Sequence, residues 1–296
     1  MKRSLQWLIL LAVVSVSFGS ILARLSGDPP LVISFWRVAL ASLLLWPYVI
    51  GRERAALRAM PALEIGLAAL SGLALALHFA AWISSLFLTT VSNATVLGST
   101  YVIFTALVER VHVRRAFPWT FNLAIVLSLA GMFLIANADF HLHTGPALLG
   151  DLLALAGGAM AALYFLVGSA LRERISIALY ASLSYSFAAF FLLAAILLQG
   201  TPLWPGSASS WLFLSLLTLG PQLLGHTVLN YLLAEVRPAF LTLTILVEPV
   251  AATLWAFLIF GEVPSHWALA GGALILFALA ITPRQSIWKN TQLIGT

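Results

Sequence analysis

Residues Ala62–Phe87 read ALEIGLAALSGLALALHFAAWISSLF, a run with a single formal charge, Glu64, near its start. It is longer than a helix needs to cross a hydrocarbon slab of roughly 30 Å. A strand of a membrane barrel would alternate apolar and polar residues. This stretch is continuously apolar and can satisfy its backbone inside lipid only as a helix. Nine similar stretches surround it: Leu5–Ala23, Leu31–Ile50, Ser92–Val108, Trp119–Asn137, Ala147–Leu171, Ile177–Leu198, Ser210–Ala234, Ala239–Phe260 and His266–Ile281. The connections are short and carry turn residues, such as Gly27-Asp28-Pro29-Pro30, Thr201-Pro202 and Arg237-Pro238. The expected fold is an all-α integral membrane protein with ten transmembrane helices.

Composition excludes the soluble alternatives. Hydrophobic residues make up 61% of the chain and charged residues 8%, whereas a soluble domain carries roughly 25% charge. There is no cysteine, so disulfides, thiolate nucleophiles and cysteine metal sites are excluded. The formal net charge of +5 is spread between spans rather than gathered in a tail, which argues against nucleic-acid binding. With a cytoplasmic N-terminus, the inside segments hold Lys2, Arg3, Arg52, Arg54, Arg58, Arg110, Arg114, Arg115, Arg172, Arg174, Arg237, Arg284 and Lys289. The outside loops then hold Arg24 with the acids Asp28, Asp139 and Glu262. This bias predicts that both termini are cytoplasmic. The start of the chain resembles a signal peptide, but no small-residue cleavage site leads into a soluble domain, so it reads as a retained first helix.

The chain also repeats itself. Gly72 and His78 recur as Gly220 and His226, an offset of 148 residues. Each half has five spans, and its fourth span ends in an acid, Glu109 or Glu262. An odd number of spans forces the second copy to insert upside down. The expectation is two inverted repeats around a central cavity, residues 1–138 and 147–283, with a cytoplasmic tail at 284–296. Transporters commonly use that plan and bind substrate near the midplane.

Three segments point to a family. Ser34-Phe35-Trp36-Arg37-Val38-Ala39-Leu40 resembles the arginine-bearing second helix of ten-helix exporters of the drug/metabolite transporter superfamily, built from two EamA domains. Leu246-Val247-Glu248-Pro249-Val250-Ala251-Ala252 and Phe260-Gly261-Glu262 resemble their penultimate helix. The first half departs from the pattern, with Val102 and Ile103 where span 4 should hold a proline, which predicts unequal half-sites. The resemblance implies a basket of helices with spans 1, 3, 4, 6, 8 and 9 nearest the cavity. It also implies export across a bacterial inner membrane, and it extends to aromatic amino-acid exporters of the YddG type.

Polar residues within spans supply the candidate substrate-binding residues, because such groups face a cavity or another helix. His78 and Trp82 are four apart in span 3, as are His226 and Asn230 in span 8. Tyr101 with Ser99, Thr244 with Glu248, and Tyr164 complete the set, and Trp255 is a further aromatic candidate. Aromatic walls would stack on a planar ligand while hydroxyls, imidazoles and Asn230 bond its polar end. The competing reading is glue between helices, worth on the order of 0.6 kcal/mol per bond. Glu248 would exchange a proton or meet a substrate ammonium; otherwise it is a protonated acid bonded to a carbonyl freed by Pro249. Arg37 is expected to snorkel at the periphery, with pairing to an acid or to helix ends near the outer face as the alternative, and Glu109 and Glu262 are expected to cap or pair at helix ends. Tryptophans and tyrosines near span ends, including Trp46, Tyr48, Trp119, Trp204, Trp211 and Trp267, form an interfacial belt.

Candidate hinges are Gly72, Gly98, Gly220, Pro221, Gly225 and Pro249. The spans 3–4 and 8–9 hairpins would rock to give alternating access to a small-molecule substrate. No phosphate-cradling loop, metal-ligand spacing or nucleophile–base constellation appears, so no enzyme activity, cofactor or metal is expected. Channel and scaffold readings fit the scattered, mirrored polar sites less well. A phosphate-sugar carrier would need cavity cations. The remaining alternative to an amino-acid exporter is a broader drug or metabolite efflux protein. The chain is expected to function as a monomer.

Overall fold

The computed structural model describes residues 3–114, 116–137 and 145–282. Lys2, Arg115, Asp139 and the expected tail at 284–296 lie outside them. The described residues form helices: α1 (Arg3–Ser17), α2 (Gly19–Ser26), α3 (Pro30–Arg52), the short α4 (Arg54–Arg58), α5 (Ala62–Ser85), α6 (Val91–Gly98), α7 (Tyr101–Val111), α8 (Trp119–Asn137), α9 (Pro146–Leu171), α10 (Ile177–Gln199), α11 (Ala208–Leu217), a π-helical segment (Thr218–Thr227), α12 (Val228–Leu232), α13 (Pro238–Ile245), α14 (Val247–Phe260) and α15 (His266–Ile281). Merged across their breaks, nine are apolar and long enough to span a membrane, and His266–Ile281 is a shorter tenth.

Sequence chemistry sets the ends. Thr90, Ser176, Ser207 and Ser265 each accept a hydrogen bond from the first turn of the helix that follows. Gly27, Gly200 and Gly261 close helices in the left-handed conformation. Outward faces are apolar and exposed, as at Leu43, Val126, Leu198 and Phe277.

The halves interleave. Span 3 packs against span 6, and span 1 against span 8; span 2 packs against span 7, and span 5 against span 10. Without water to drive helices together, close backbone approach replaces the hydrophobic effect. At the span 5–span 10 crossing, a Cβ on Gly131 would stand 2.6 Å from the Gly271 carbonyl oxygen, and one on Gly271 would stand 2.4 Å from that of Gly131. No larger residue allows this contact.

Spans 1, 4 and 9 each break near mid-depth, at Phe18, at Ser99–Thr100 and at Leu246. In span 9 the break sits just before Pro249, which lacks an amide donor. Span 4 has no proline, yet breaks at the equivalent place. There Ser99 Oγ donates to Thr95 O at 2.7 Å and Thr100 Oγ1 to Leu97 O at 2.8 Å. Hydroxyl back-bonding next to Gly98 weakens the helical ladder as the proline does in span 9. The missing proline therefore does not make the halves differ in backbone. In span 8, Pro221 lies within the π-helical segment, a deformation frequent at functional sites.

Candidate functional site

The breaks meet at one internal cavity of about 30 Å³. That is room for a water or two, so the structure is contracted around its site. Val16 and Gly19 of span 1 line it with His78 and Trp82 of span 3 and Thr95, Gly98, Ser99 and Tyr101 of span 4. Ala161 and Phe165 of span 6, Pro221, His226 and Leu229 of span 8, and Ile245 and Glu248 of span 9 complete six of its sides. The seventh side is Arg37 of span 2.

Arg37 is the largest departure from expectation. It does not snorkel: it is 1% exposed. Its guanidinium carbon lies 3.8 Å from the centre of the Phe79 ring, a cation–π contact. Its Nε donates to Gln222 Oε1 at 3.0 Å, while Nη1 is buried without a partner. Gln222 belongs to the π-helical segment, whose Thr227 hydroxyl donates to Gln222 O at 3.1 Å and contacts the Tyr185 hydroxyl at 2.9 Å.

The two repeat-related histidines converge. His78 Nδ1 lies 2.9 Å from Gly157 O; a carbonyl only accepts, so this nitrogen carries the proton. His226 stacks parallel to Phe165 with ring centres 6.5 Å apart, and its Nδ1 is buried and unpartnered. The imidazole centres are 6.3 Å apart. Trp82 lies along the wall between Gly98 and Gly19: a Cβ on Gly98 would come within 2.6 Å of the indole and one on Gly19 within 3.6 Å. The buried Tyr101 hydroxyl, at the start of α7, makes no hydrogen bond. Glu248, in the first turn of α14, has no hydrogen bond and no ion-pair partner within 4 Å among the described residues.

Other expected site residues fall elsewhere. Thr244 turns its hydroxyl to Leu241 O at 2.6 Å and lines a lateral groove with Val13 and Leu279. Tyr164 and Asn230 bond to each other behind the cavity, with Asn230 Nδ2 donating to the tyrosine hydroxyl. Phe165, the neighbour of Tyr164, provides the wall instead; one residue is about 100° of helix rotation, which apolar periodicity alone does not resolve. Trp255 donates to Ser17 Oγ at 3.1 Å and stacks on Phe18 at 4.6 Å, bracing the break in span 1. Trp46 donates to Ser186 rather than lying free in the belt, whereas Tyr48, Trp119, Trp204 and Trp267 are exposed. Among the candidate hinges, Gly72 packs against Ser184 and Phe187, Gly98 against Trp82 and Gly225 against Val16, while Gly220 has open space around it.

Spans 4 and 9 are fastened on both sides of the cavity. Toward the face that bears the N-terminus, the Thr105 and Thr242 hydroxyls meet at 2.8 Å and Glu109 accepts from the Ala239 amide at 2.8 Å. Toward the opposite face, the Ser92 and Thr253 hydroxyls meet at 3.0 Å, and Arg24 of span 1 pairs at 2.5 Å with Glu262, just past the end of span 9. The two acids sit at helix ends, as expected. Arg24 also donates to Leu86 O at 2.8 Å, and its repeat counterpart Arg172 donates to Asn230 O at 3.2 Å. Burial pulls the Arg172 guanidinium below the usual arginine range, opposed by Tyr180, Tyr231 and Glu53. No cluster able to hold a metal occurs among the described residues.

An uncharacterized transporter from Archaeoglobus fulgidus is 25% identical over 259 residues, covering 86% of this chain and 87% of its own. A solved crystal structure superposes over 95% of this chain and 96% of its own, with a TM-score of 0.75 at 18% identity; that likeness concerns the fold alone. The family sequence model matches twice, at residues 4–137 and 148–283, and the two matches take in every residue that lines the cavity. With inverted halves, broken spans and a midplane chamber, the chain belongs to the EamA-like transporter family.

Proposed function

We propose that this membrane transporter exports amino acids with aromatic or large apolar side chains, by alternating access. One observation carries the reading: the cavity combines ring walls (Trp82, Phe165, His226) with polar groups that the protein leaves unbonded, Tyr101 Oη and His226 Nδ1. Unbonded polar groups inside a membrane are costly, and a polar ligand or water offsets that cost. The rings supply the apolar surface that a large side chain would cover. A cavity this small must expand to admit such a ligand, and the broken spans 1, 4 and 9 are the elements with the least backbone to rearrange. Export across a bacterial inner membrane is part of the proposal, supported by the resemblance to exporters and by charge: the face with Arg52, Arg54, Arg58, Arg110, Arg172 and Arg174 is read as cytoplasmic.

The test is reconstitution into liposomes loaded with labelled phenylalanine, tryptophan, leucine, nucleosides or cationic dyes, with and without a pH gradient. Flux of the amino acids above protein-free liposomes is expected. Flux of dyes alone would leave the broader efflux reading. That second reading has its own support, a largely apolar groove of about 400 Å³ lined by residues of spans 1, 9 and 10.

A further inference from the structure

We propose that Arg37 and Glu248 form a two-ended clamp for a zwitterionic head group, the guanidinium taking an α-carboxylate and the carboxylate taking an α-ammonium. The inference rests on the amino-acid reading and narrows it to ligands that carry both charges on one carbon. Both residues line the same small cavity, yet no nitrogen of Arg37 lies within 4 Å of a Glu248 oxygen. A buried ion pair made for stability would close to contact, because desolvated charges are costly when held apart. Here the guanidinium is held by its own surroundings: Phe79 of span 3 and Gln222 of span 8 engage it and leave Nη1 free. Glu248 lies in the first turn of α14, after the break at Leu246, where the positive end of the helix dipole favours a carboxylate.

A zwitterion is the ligand that fills this gap without adding net charge. Its carboxylate can accept from the free Nη1–H, a charge-assisted bond, and its ammonium can donate to Glu248. Once the cavity expands, Trp82 and Phe165 are the rings that flank its side chain. A primary amine leaves Arg37 unpaired when Glu248 is satisfied; a carboxylic acid leaves Glu248 unpaired when Arg37 is satisfied. Sites built around a polar group reject analogues that lack it far more strongly than apolar pockets reject a missing methylene.

The experiment uses full-length protein in liposomes and measures competition against whichever of labelled phenylalanine or leucine is moved better. Competitors are the matching amine (phenethylamine or isoamylamine) and the matching acid (hydrocinnamate or isocaproate). For the wild type, both half-ligands are expected to compete at least ~100-fold more weakly than the amino acid. R37Q is expected to abolish discrimination against the amine while keeping it against the acid. E248Q is expected to do the reverse. R37K, which keeps the charge but not the fork, is expected to restore part of the discrimination lost in R37Q. Should R37Q fail to fold in detergent, E248Q alone still tests the clamp. Amino-acid flux with no discrimination against amine or acid would overturn the clamp and leave the amino-acid reading standing. No amino-acid flux or binding would overturn both.

Discussion

At the scale of single residues, the glycines around the cavity differ by what a methyl group would meet. On Gly158 it would stand 2.4 Å from Thr100 Oγ1 and 2.7 Å from Gly98 O, and the second is backbone at the break in span 4. On Gly220 it would meet nothing within 4 Å. G158A should therefore destabilise the protein by about 1–3 kcal/mol, read as a lower thermal midpoint in detergent. G220A should leave the midpoint unchanged or raise it slightly, since alanine favours helix. Equal effects of the two would refute this reading of the crossing. Sequence alone gave little hint of this difference, because Gly72 and Gly220 occupy matching repeat positions and have unlike surroundings. His78, Trp82, Ser99, Tyr101, His226 and Glu248 were legible as a set because ionisable and aromatic groups stand out in apolar spans. Arg37 was not: a long stem near a span end reads as snorkelling, and only the packing of Phe79 and Gln222 reveals its inward course. Polarity points to Tyr164, whereas its apolar neighbour Phe165, one residue of helix rotation away, lines the cavity.

At the scale of elements, spans 4 and 9 act as one antiparallel pair, broken at the same depth and tied at both ends. The Thr105–Thr242 and Ser92–Thr253 contacts lie at corresponding ends of the repeat-related spans: Thr105 and Thr253 are 148 residues apart, and Ser92 and Thr242 are 150 apart. Alternating access requires the two ties to open in turn. The chain contains no cysteine, so paired cysteines can be introduced without background. Hydroxyl oxygens at 2.8 and 3.0 Å place the Cβ atoms near disulfide range. Oxidised T105C/T242C and oxidised S92C/T253C should each reduce flux to the level of empty liposomes, and a reductant should restore it. Full flux through either oxidised pair would show that these halves do not separate during transport. The span 9 break was readable from Pro249. The span 4 break was not, because serine and threonine disrupt a helix only when their hydroxyls turn back onto it, a choice of rotamer that composition does not record.

For the whole molecule, the decisive constraint is that lipid admits only internally bonded backbone. It made the ten spans legible from apolar length, with ends shifted by a residue or two where caps such as Thr90 and Ser207 act. The odd number of spans per half made the inverted repeat legible as well. What apolar length did not carry was which spans touch, because lipid-facing and helix-facing leucines look alike; the contacts were decided by small residues such as Gly131 and Gly271. The architecture predicts a topology that can be checked directly. An even ten spans put the start of the first and the end of the tenth on one face, and that face collects Arg52, Arg54, Arg58, Arg110, Arg114, Arg172, Arg174 and Arg237, against Arg24 near the other. A charge bias this one-sided orients a chain with the basic face in the cytoplasm. A55C, within α4, and S209C, near the start of α11, probe the two faces in the otherwise cysteine-free chain. A membrane-impermeant maleimide added to intact cells should label S209C and spare A55C, and added to inverted vesicles should do the opposite. Labelling of A55C in intact cells would reverse the assigned direction of transport, and labelling of both sites from one side would mean that the chain inserts in two orientations.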